Sequence, residues 1–271
     1  MKENDFILRE SHGVFYYSCR AFIGLPRICH GFSTRRDGMP GRRRRSFDLG
    51  FRSGRSVEYV NENRRRFLSA LNLEAAHLAT LHQIHSNRVH IIEEIPAPGD
   101  QMDGDALTTR IENVAIAVQV ADCLPILIAD PVNTAVAAVH SGWRGTLSRV
   151  LISTIREMER VFNSDPQKLL IAVGPGIRAC CFEVGAEVAE PFEREYPGIP
   201  LAKKKGDRLG KYLLDLCGAL HVQMDFAGIP RENRYDLGVC THCNTGEFFS
   251  YRAEGSAAGR MMAVIGLVPQ S

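Results

Sequence analysis

An α/β fold, in the mixed or α+β form, is predicted for this chain by three observations. Apolar runs of strand length, Val114 to Val120, Leu124 to Ala129 and Thr134 to Val139, follow one another, with turn chemistry at Asp130-Pro131-Val132-Asn133. The period then changes: from Leu147 the apolar positions Val150, Leu151, Ile155, Met158, Val161 and Phe162 recur at helical spacing. The same order of strand, turn and helix repeats once, and that alternation is the mark of mixed sheet-and-helix architectures. Solenoid or propeller periods and low-complexity linkers are absent, so 271 residues with 45% hydrophobic content are read as one domain over residues 1–271.

The elements follow in chain order. Phe67, Leu68, Leu71 and Leu73 lie among charged residues at near-helical spacing, which predicts an amphipathic helix over Asn61 to Leu73. Arg88 to Ile95 reads as a strand and precedes the three apolar runs. Ser141-Gly142-Trp143-Arg144-Gly145 is then a tight passage from strand to helix. Lys168 to Val173 reads as a strand, Gly174-Pro175-Gly176 as a turn, and Cys180 to Glu195 as a helix interrupted at Pro191. Glu247 to Tyr251 and Met261 to Leu267 are expected to be strands around a glycine-rich loop.

Composition excludes several classes. No run approaches the roughly eighteen apolar residues of a membrane span, and the charged start Met-Lys-Glu-Asn-Asp is unlike a signal peptide. Eight cysteines without the spacing of a small secreted framework read as free thiols or ligands, which points to the cytoplasm. A net charge of +2 gives no global field for nucleic acid. The local clusters Arg42 to Arg45 and Lys203 to Lys205 lack interleaved aromatics and are read as solvated loops.

Three residues of ligand type sit where strands meet turns: His85, Cys123 in Ala121-Asp122-Cys123-Leu124-Pro125, and His140 before the strand-to-helix passage. Two imidazoles and one thiolate match a catalytic zinc site that leaves a fourth position open. By residue type alone, a scattered His, Cys and His set is more often part of a satisfied core.

Longer blocks decide between these readings. His30-Gly31-Phe32-Ser33-Thr34-Arg35, Ser46-Phe47-Asp48-Leu49-Gly50, Asn61-Glu62-Asn63-Arg64-Arg65 and Gln83-Ile84-His85 are followed by Asp103-Gly104-Asp105-Ala106-Leu107 and the Cys123 and His140 segments. Phe182-Glu183-Val184-Gly185, Cys240-Thr241-His242-Cys243-Asn244, Phe248-Phe249-Ser250-Tyr251-Arg252 and Gly259-Arg260-Met261 complete the series. With these blocks in this order, the chain resembles the laccase-domain or multicopper polyphenol oxidase proteins, also called the YfiH-like or PgeF family, over nearly its whole length.

The resemblance implies layered mixed β-sheets flanked by helices, with zinc held by His85, Cys123 and His140. It further implies phosphorolysis of purine nucleosides and deamination of adenosine, with purine nucleosides and phosphate as the small-molecule partners. Adenosine, inosine, guanosine and methylthioadenosine are the candidate substrates. Asp122 and Glu183 are the candidate acid/base groups: one adjoins a ligand, the other follows a glycine-rich turn. Arg144, after Gly142 at a helix start, is the first phosphate candidate, with Arg35, Arg64, Arg252 and Arg260 behind it. Trp143, the only tryptophan, is read as an apolar wedge behind the ligand strand or as a purine platform. Ser86, Ser141 and Arg178 depart from the usual family pattern.

Two rival functions stay open. A copper-dependent polyphenol oxidase is suggested by the older family name, and copper competes with zinc for such ligands. True multicopper centres need closely paired histidines, whereas the nine histidines here include no His-x-His. A peptidoglycan-editing or structural zinc protein is the other, and it would need a fourth protein ligand. Only one Cys-x-x-Cys is present, Cys240 to Cys243, so it and the neighbours Cys180 and Cys181 are expected to be free thiols or packing residues.

Overall fold

The computed structural model describes residues 5–38, 46–51, 53–95, 102–205 and 210–270. The cluster Arg42 to Arg45 and the residues at the start of the chain up to Asn4 lie outside them. Two six-stranded mixed sheets carry the architecture. Sheet one contains β1 (Phe6–Ser11), β2 (Val14–Cys19), β3 (Ile28–Asp37), β4 (His77–Thr80), β7 (Val114–Val120) and β15 (Met261–Leu267), in the order β1-β2-β3-β15-β7-β4. Sheet two contains β5 (Val89–Ile92), β6 (Ala106–Thr109), β8 (Leu124–Asp130), β9 (Ala135–Ser141), β10 (Leu170–Val173) and β14 (Arg234–Asp236), in the order β14-β10-β8-β9-β6-β5. A small third sheet joins β11 (Glu183–Gly185), β12 (Ala202–Lys204) and β13 (Lys211–Leu214).

Alternation along the strands builds the layers, because successive side chains leave opposite faces of a sheet. Val114, Ile116 and Val118 of β7 pack with Leu127 and Ala129 of β8 and Val136 and Ala138 of β9, between the two sheets. The intervening Ala115 and Ala117 face α2 (Val57–Ala70) through Phe67 and Leu68. On the far side of sheet two, Ile126, Ile128, Ala137 and Val139 meet Leu151, Ile155, Met158 and Phe162 of α4 (Val150–Phe162), with Leu220 and Met224 of α6 (Leu216–Phe226). The predicted layered sheets flanked by helices are present. Four short or peripheral helices complete the fold: α1 (Arg20–Ile23), α3 (Trp143–Leu147), α5 (Ala186–Glu195) and α7 (Tyr251–Glu254).

Where the structure departs from the sequence reading, local hydrogen bonding is the reason. The first helix begins at Val57, four residues early, because Ser56 accepts from the Tyr59 amide as N-cap. The strands expected over Arg88 to Ile95 and Lys168 to Val173 are shorter, and that at Thr134 to Val139 begins one residue later and runs on to Ser141. The turn before it forms as read: Asp130 Oδ1 accepts the Val132 and Asn133 amides at 2.9 and 3.0 Å. Cys180 to Gly185 is not helical. Cys181 and Phe182 turn back to the Arg178 carbonyl, both at 2.9 Å, and Glu183–Gly185 pairs with β13 before α5 starts and runs through Pro191. Glu247 to Tyr251 forms no strand either: the Glu247 and Phe248 amides are spent on the Asn244 carbonyl, and α7 begins at Tyr251. The hairpin β1 to β2 and strand β3 escaped the sequence reading, since half-buried Phe15 and Tyr17 are as aromatic as buried Tyr16 and hide the alternation.

Candidate functional site

His140 is the penultimate residue of the buried strand β9, on the face that also carries Val136 and Ala138, and antiparallel register sets Pro125 opposite it and Leu124 opposite Ser141. That pairing puts Cys123, which immediately precedes β8, beside His140. His85 comes from the loop that crosses from β4 in sheet one to β5 in sheet two, and its backbone is left-handed, at φ 60°. The His85 and His140 ring centroids are 4.9 Å apart, and Cys123 Sγ lies 4.0 Å from His85 Nε2. The three ligand atoms fall within 4.8 Å of one another. A Cβ on Gly142 would come within 2.9 Å of the His85 ring and 3.0 Å of Cys123 Sγ, so glycine there lets the two side chains meet.

A fully buried carboxylate organises the group. Asp105 accepts the His140 Nδ1–H at 2.8 Å, the His85 amide at 3.0 Å, and both the amide and the hydroxyl of Ser86, at 2.5 and 2.8 Å. With Nδ1 committed to Asp105, His140 offers Nε2 for ligation, the arrangement by which a carboxylate orients and strengthens a histidine ligand. Asp105 was quoted in a sequence block but not singled out as a site residue. Asp105, and not Asp122, is therefore the carboxylate that orients His140.

Charge follows from these contacts. Burial alone would raise Asp105, but His140 and Ser86 hold it down to about 2. Burial likewise opposes the Cys123 thiolate, yet the charge and hydrogen bond of His140, reinforced by His85, bring the thiol down to about 6. Burial lowers His140, and the Cys123 thiolate and Asp105 outweigh it, raising the imidazole to about 9. The last two shifts are two views of one thiolate–imidazolium pair. Metal-free protein should thus alkylate at Cys123 with a midpoint near pH 6, the rate falling below it as the thiolate is protonated. Peptide-resolved iodoacetamide labelling measures this, and a midpoint near 9 would count against the pair.

The group opens onto a cleft of about 550 Å³. Phe51, Phe182, Tyr251 and Trp143 give it aromatic walls, and His82, Gln83, Gln119, Asp122, Arg252 and Arg260 give it polar ones. Gln83 is fixed like a short strand, donating to the Gln119 carbonyl at 2.8 Å and accepting its amide at 2.7 Å. Asp122 adopts φ 88°, a conformation rare outside glycine, held by the Ile177 amide on its carbonyl and by Thr241 Oγ1 and the Arg252 amide on its carboxylate, both at 2.6 Å.

A family model described as multi-copper polyphenol oxidoreductase laccase matches residues 29–268. The chain belongs to that family. It is 37% identical over 241 residues to a purine nucleoside phosphorylase of Deinococcus radiodurans, covering 89% of each chain. It is 32% identical to adenosine deaminase RL5 of an unknown prokaryotic organism, over 84% of this chain and 90% of that one. Its fold is similar to the crystal structure of the Bacillus licheniformis hypothetical protein YfiH, with a TM-score of 0.85 and 25% identity over 97% and 99% of the two chains.

In this laccase-family member the other sequence-derived candidates separate. Asp122, Arg252 and Arg260 line the cleft, whereas Glu183, Arg35, Arg64 and Arg144 are not among its lining residues. Glu183 belongs to β11, not to a helix, and pairs with Lys205 Nζ at 2.6 Å. Arg35 is bound to Glu254 at 2.7 Å and lies over the Phe249 ring. Arg64 donates to the Leu49 carbonyl and stacks on Phe51, and burial lowers its pKa to about 10. Arg144 is exposed and lies 4.3 Å over the ring of its neighbour Trp143. The unusual residues serve local geometry. Ser86 holds Asp105, Ser141 Oγ meets Thr146 Oγ1 at 2.8 Å, and Arg178 grips Asp236 with two bonds of 2.7 and 2.9 Å. His30 of the first sequence block is structural: its Nε2 accepts the Cys19 amide, and burial takes its pKa down to about 3.

Proposed function

We propose that this chain is a zinc-dependent purine nucleoside phosphorylase that also deaminates adenosine, that His85, Cys123 and His140 are its metal ligands, and that residues 1–271 act as one domain. The observation that carries this reading is the convergence of two imidazoles and one acidified thiol on an aromatic cleft of the volume that small ligands occupy. Relatives bearing both activity names support it.

The donors fit the ion. A tetrahedral zinc with bonds of roughly 2.0 to 2.3 Å needs ligand atoms about 3.5 Å apart, and the observed 4.0 Å between Cys123 Sγ and His85 Nε2 needs only a small contraction. A lone Cys–His–Asp relay would have no use for His85, whose left-handed backbone is fixed by Asp105. When bound, zinc supplies Lewis acidity at neutral pH without redox chemistry. Copper would fit the same three atoms. Among the described residues, no set of convergent ligands contains more than two histidines, which favours a single-ion site over a multicopper oxidase. Three protein ligands in place of four favour catalysis over a purely structural or envelope role.

The chain's own residues then divide the work. In phosphorolysis a phosphate oxygen bonds to ribose C1′ as the bond to the purine nitrogen breaks, and the departing base takes up a proton. Arg252 and Arg260 bring two arginines to the cleft for the phosphate, with Arg144 beside Trp143 as an outer contact. The aromatic side chains offer faces to the purine. In deamination water adds at the ring carbon bearing the amine, and the leaving nitrogen needs a proton. Asp122 is the one carboxylate among the described residues that line the cleft, so it is assigned the proton transfer in both reactions. Adenosine, inosine, guanosine and methylthioadenosine are the proposed substrates. All eight cysteines are free thiols and no described helix is long and apolar enough to cross a membrane, which supports a cytoplasmic site of action.

Product analysis of zinc-loaded protein with inosine and adenosine, with and without phosphate, tests this. Free base and ribose 1-phosphate are expected only with phosphate, and inosine plus ammonia from adenosine without it. Chelation should abolish both and zinc restore both. Fully zinc-loaded protein that turns over neither nucleoside would overturn the reading.

A further inference from the structure

Cys180 and Cys181 meet Cys240 and Cys243 in space, although some sixty positions separate the pairs. All four Sγ atoms lie within 4.8 Å of one another, with 3.7 Å between Cys180 and Cys243 and 3.3 Å between Cys181 and Cys243. The sequence offered only one Cys-x-x-Cys; all four residues are free thiols, as expected, and the second turn that folds against that pair brings them together. Backbone bonds fix the two turns to each other. Gly176 pairs with Cys240 as an isolated bridge, its amide donates to the Val239 carbonyl at 3.3 Å, and the Thr241 amide returns to Gly176 at 3.1 Å. A Cβ on Gly176 would sit 2.6 Å from Leu124 and 3.0 Å from the Asp122 carbonyl, so glycine lets the first turn lie against the segment that carries Asp122. Asn244 Nδ2 closes the second turn on the Cys240 carbonyl at 2.8 Å.

We propose that Cys180, Cys181, Cys240 and Cys243 hold a second metal ion, in a closed tetrathiolate site of the structural zinc type. Zinc–sulfur bonds of about 2.3 Å place the sulfurs of a tetrahedron about 3.8 Å apart; Cys180 and Cys243 stand at 3.7 Å, Cys181 and Cys243 at 3.3 Å, and every pair within 4.8 Å, so small shifts complete the tetrahedron. A disulfide needs two sulfurs at about 2.0 Å and gives no reason for four to converge. Four soft donors and no carboxylate suit zinc and exclude magnesium or calcium. The grouping of Cys217, His221 and Asp236 makes no comparable site, because Arg178 already neutralises Asp236.

The site has a function in the architecture. Ile177 and Phe182 flank the first cysteine pair and line the cleft, and Thr241, between the second pair, donates to Asp122. An ion bridging the two turns clamps the cleft wall that carries Asp122. The inference concerns metal content and fold, and it stands whichever reaction the cleft performs.

Metal analysis of the full chain, with circular dichroism as a fold control, tests it. Two zinc ions per chain are expected in the wild type, one in Cys243→Ser, one in Cys123→Ala, and none in the double variant. Exposed Cys180→Ser replaces Cys243→Ser if the latter fails to fold. Cobalt loaded into Cys123→Ala should give the sulfur-to-cobalt charge-transfer and tetrahedral d–d bands of a tetrathiolate, lost when Cys243 or Cys180 is also replaced. A wild type with one zinc that disappears entirely in Cys123→Ala would overturn the proposal. So would iron with acid-labile sulfide, or an intact mass lowered by the hydrogens lost to a disulfide among these four cysteines.

Discussion

Asp105→Asn is expected to bind zinc about 10- to 100-fold more weakly than the wild type while retaining all three ligands. The asparagine amide would present donors where Asp105 now accepts four hydrogen bonds, from His140 Nδ1, the His85 amide and the amide and hydroxyl of Ser86. At least one amide hydrogen would face another donor, turning His140 or lifting the loop of His85. Asp105→Ala is harsher, since it leaves several buried donors without an acceptor, and a loss of about 3 kcal/mol or more is expected in the metal-free protein. The pH dependence has a definite sign. A carboxyl held down to about 2 contributes stability that is present above its unfolded value of 3.8 and is lost as pH falls towards 2. At neutral pH that contribution is about 2 kcal/mol. Wild type and Asp105→Asn should therefore converge in stability as acid is added. Chelator competition gives the affinities and urea denaturation the stabilities. An Asp105→Asn variant that holds zinc as tightly as the wild type would remove Asp105 from its positioning role.

The reach of the sequence followed the range of the interactions. Strands β7, β8 and β9 were legible because each is built on a run of at least four consecutive apolar residues, and the passage at Gly142 was legible because the hydrophobic period changes there. Cys123 and His140 become neighbours through the β8–β9 hairpin, a local pairing whose turn residues stand in the sequence. Asp105 was hidden because its meeting with His140 depends on β6 pairing with β9, which no pattern within β6 announces. Arginines were misjudged for a related reason. Arg35 and Arg64 sit in matching blocks, yet their partners Glu254 and Phe51 come from elsewhere in the fold and turn them into packing residues.

The four-cysteine cluster shows the same limit from the other side. Spacing rules find a metal site when its two halves are each written as a Cys-x-x-Cys, and here one half is the adjacent pair Cys180 and Cys181. Adjacent cysteines point together only because the backbone turns at Arg178, and the reading of a helix from Cys180 concealed that turn. An error in a secondary-structure boundary thus hid the convergence of the four sulfurs.

Cys123→Ala should reduce both nucleoside reactions by at least about 10³-fold, since a Lewis acid contributes several kcal/mol and each 1.4 kcal/mol is tenfold in rate. Loss of activity alone would not separate ligation from other roles of a cysteine, so the metal-free protein supplies a second readout. There the Cys123 thiolate and the His140 imidazolium stabilise each other, and the pair exists only while both are charged. Below about 6 the thiolate takes a proton, and above about 9 the imidazolium loses one. On the His140 side, a pKa raised above its unfolded 6.5 contributes stability that is lost as pH rises through 9. On the Cys123 side, a pKa lowered from 9.0 contributes stability that is lost as pH falls through 6. The stability gap between metal-free wild type and Cys123→Ala should therefore be widest between pH 6 and 9 and narrow on both sides of that window. Denaturation at pH 5, 7.5 and 10 measures it, and a gap that does not vary with pH would show that the pair does not form. Zinc added at pH 7.5 should widen the gap and release the His140 proton, because the ion takes the place of that proton on the imidazole.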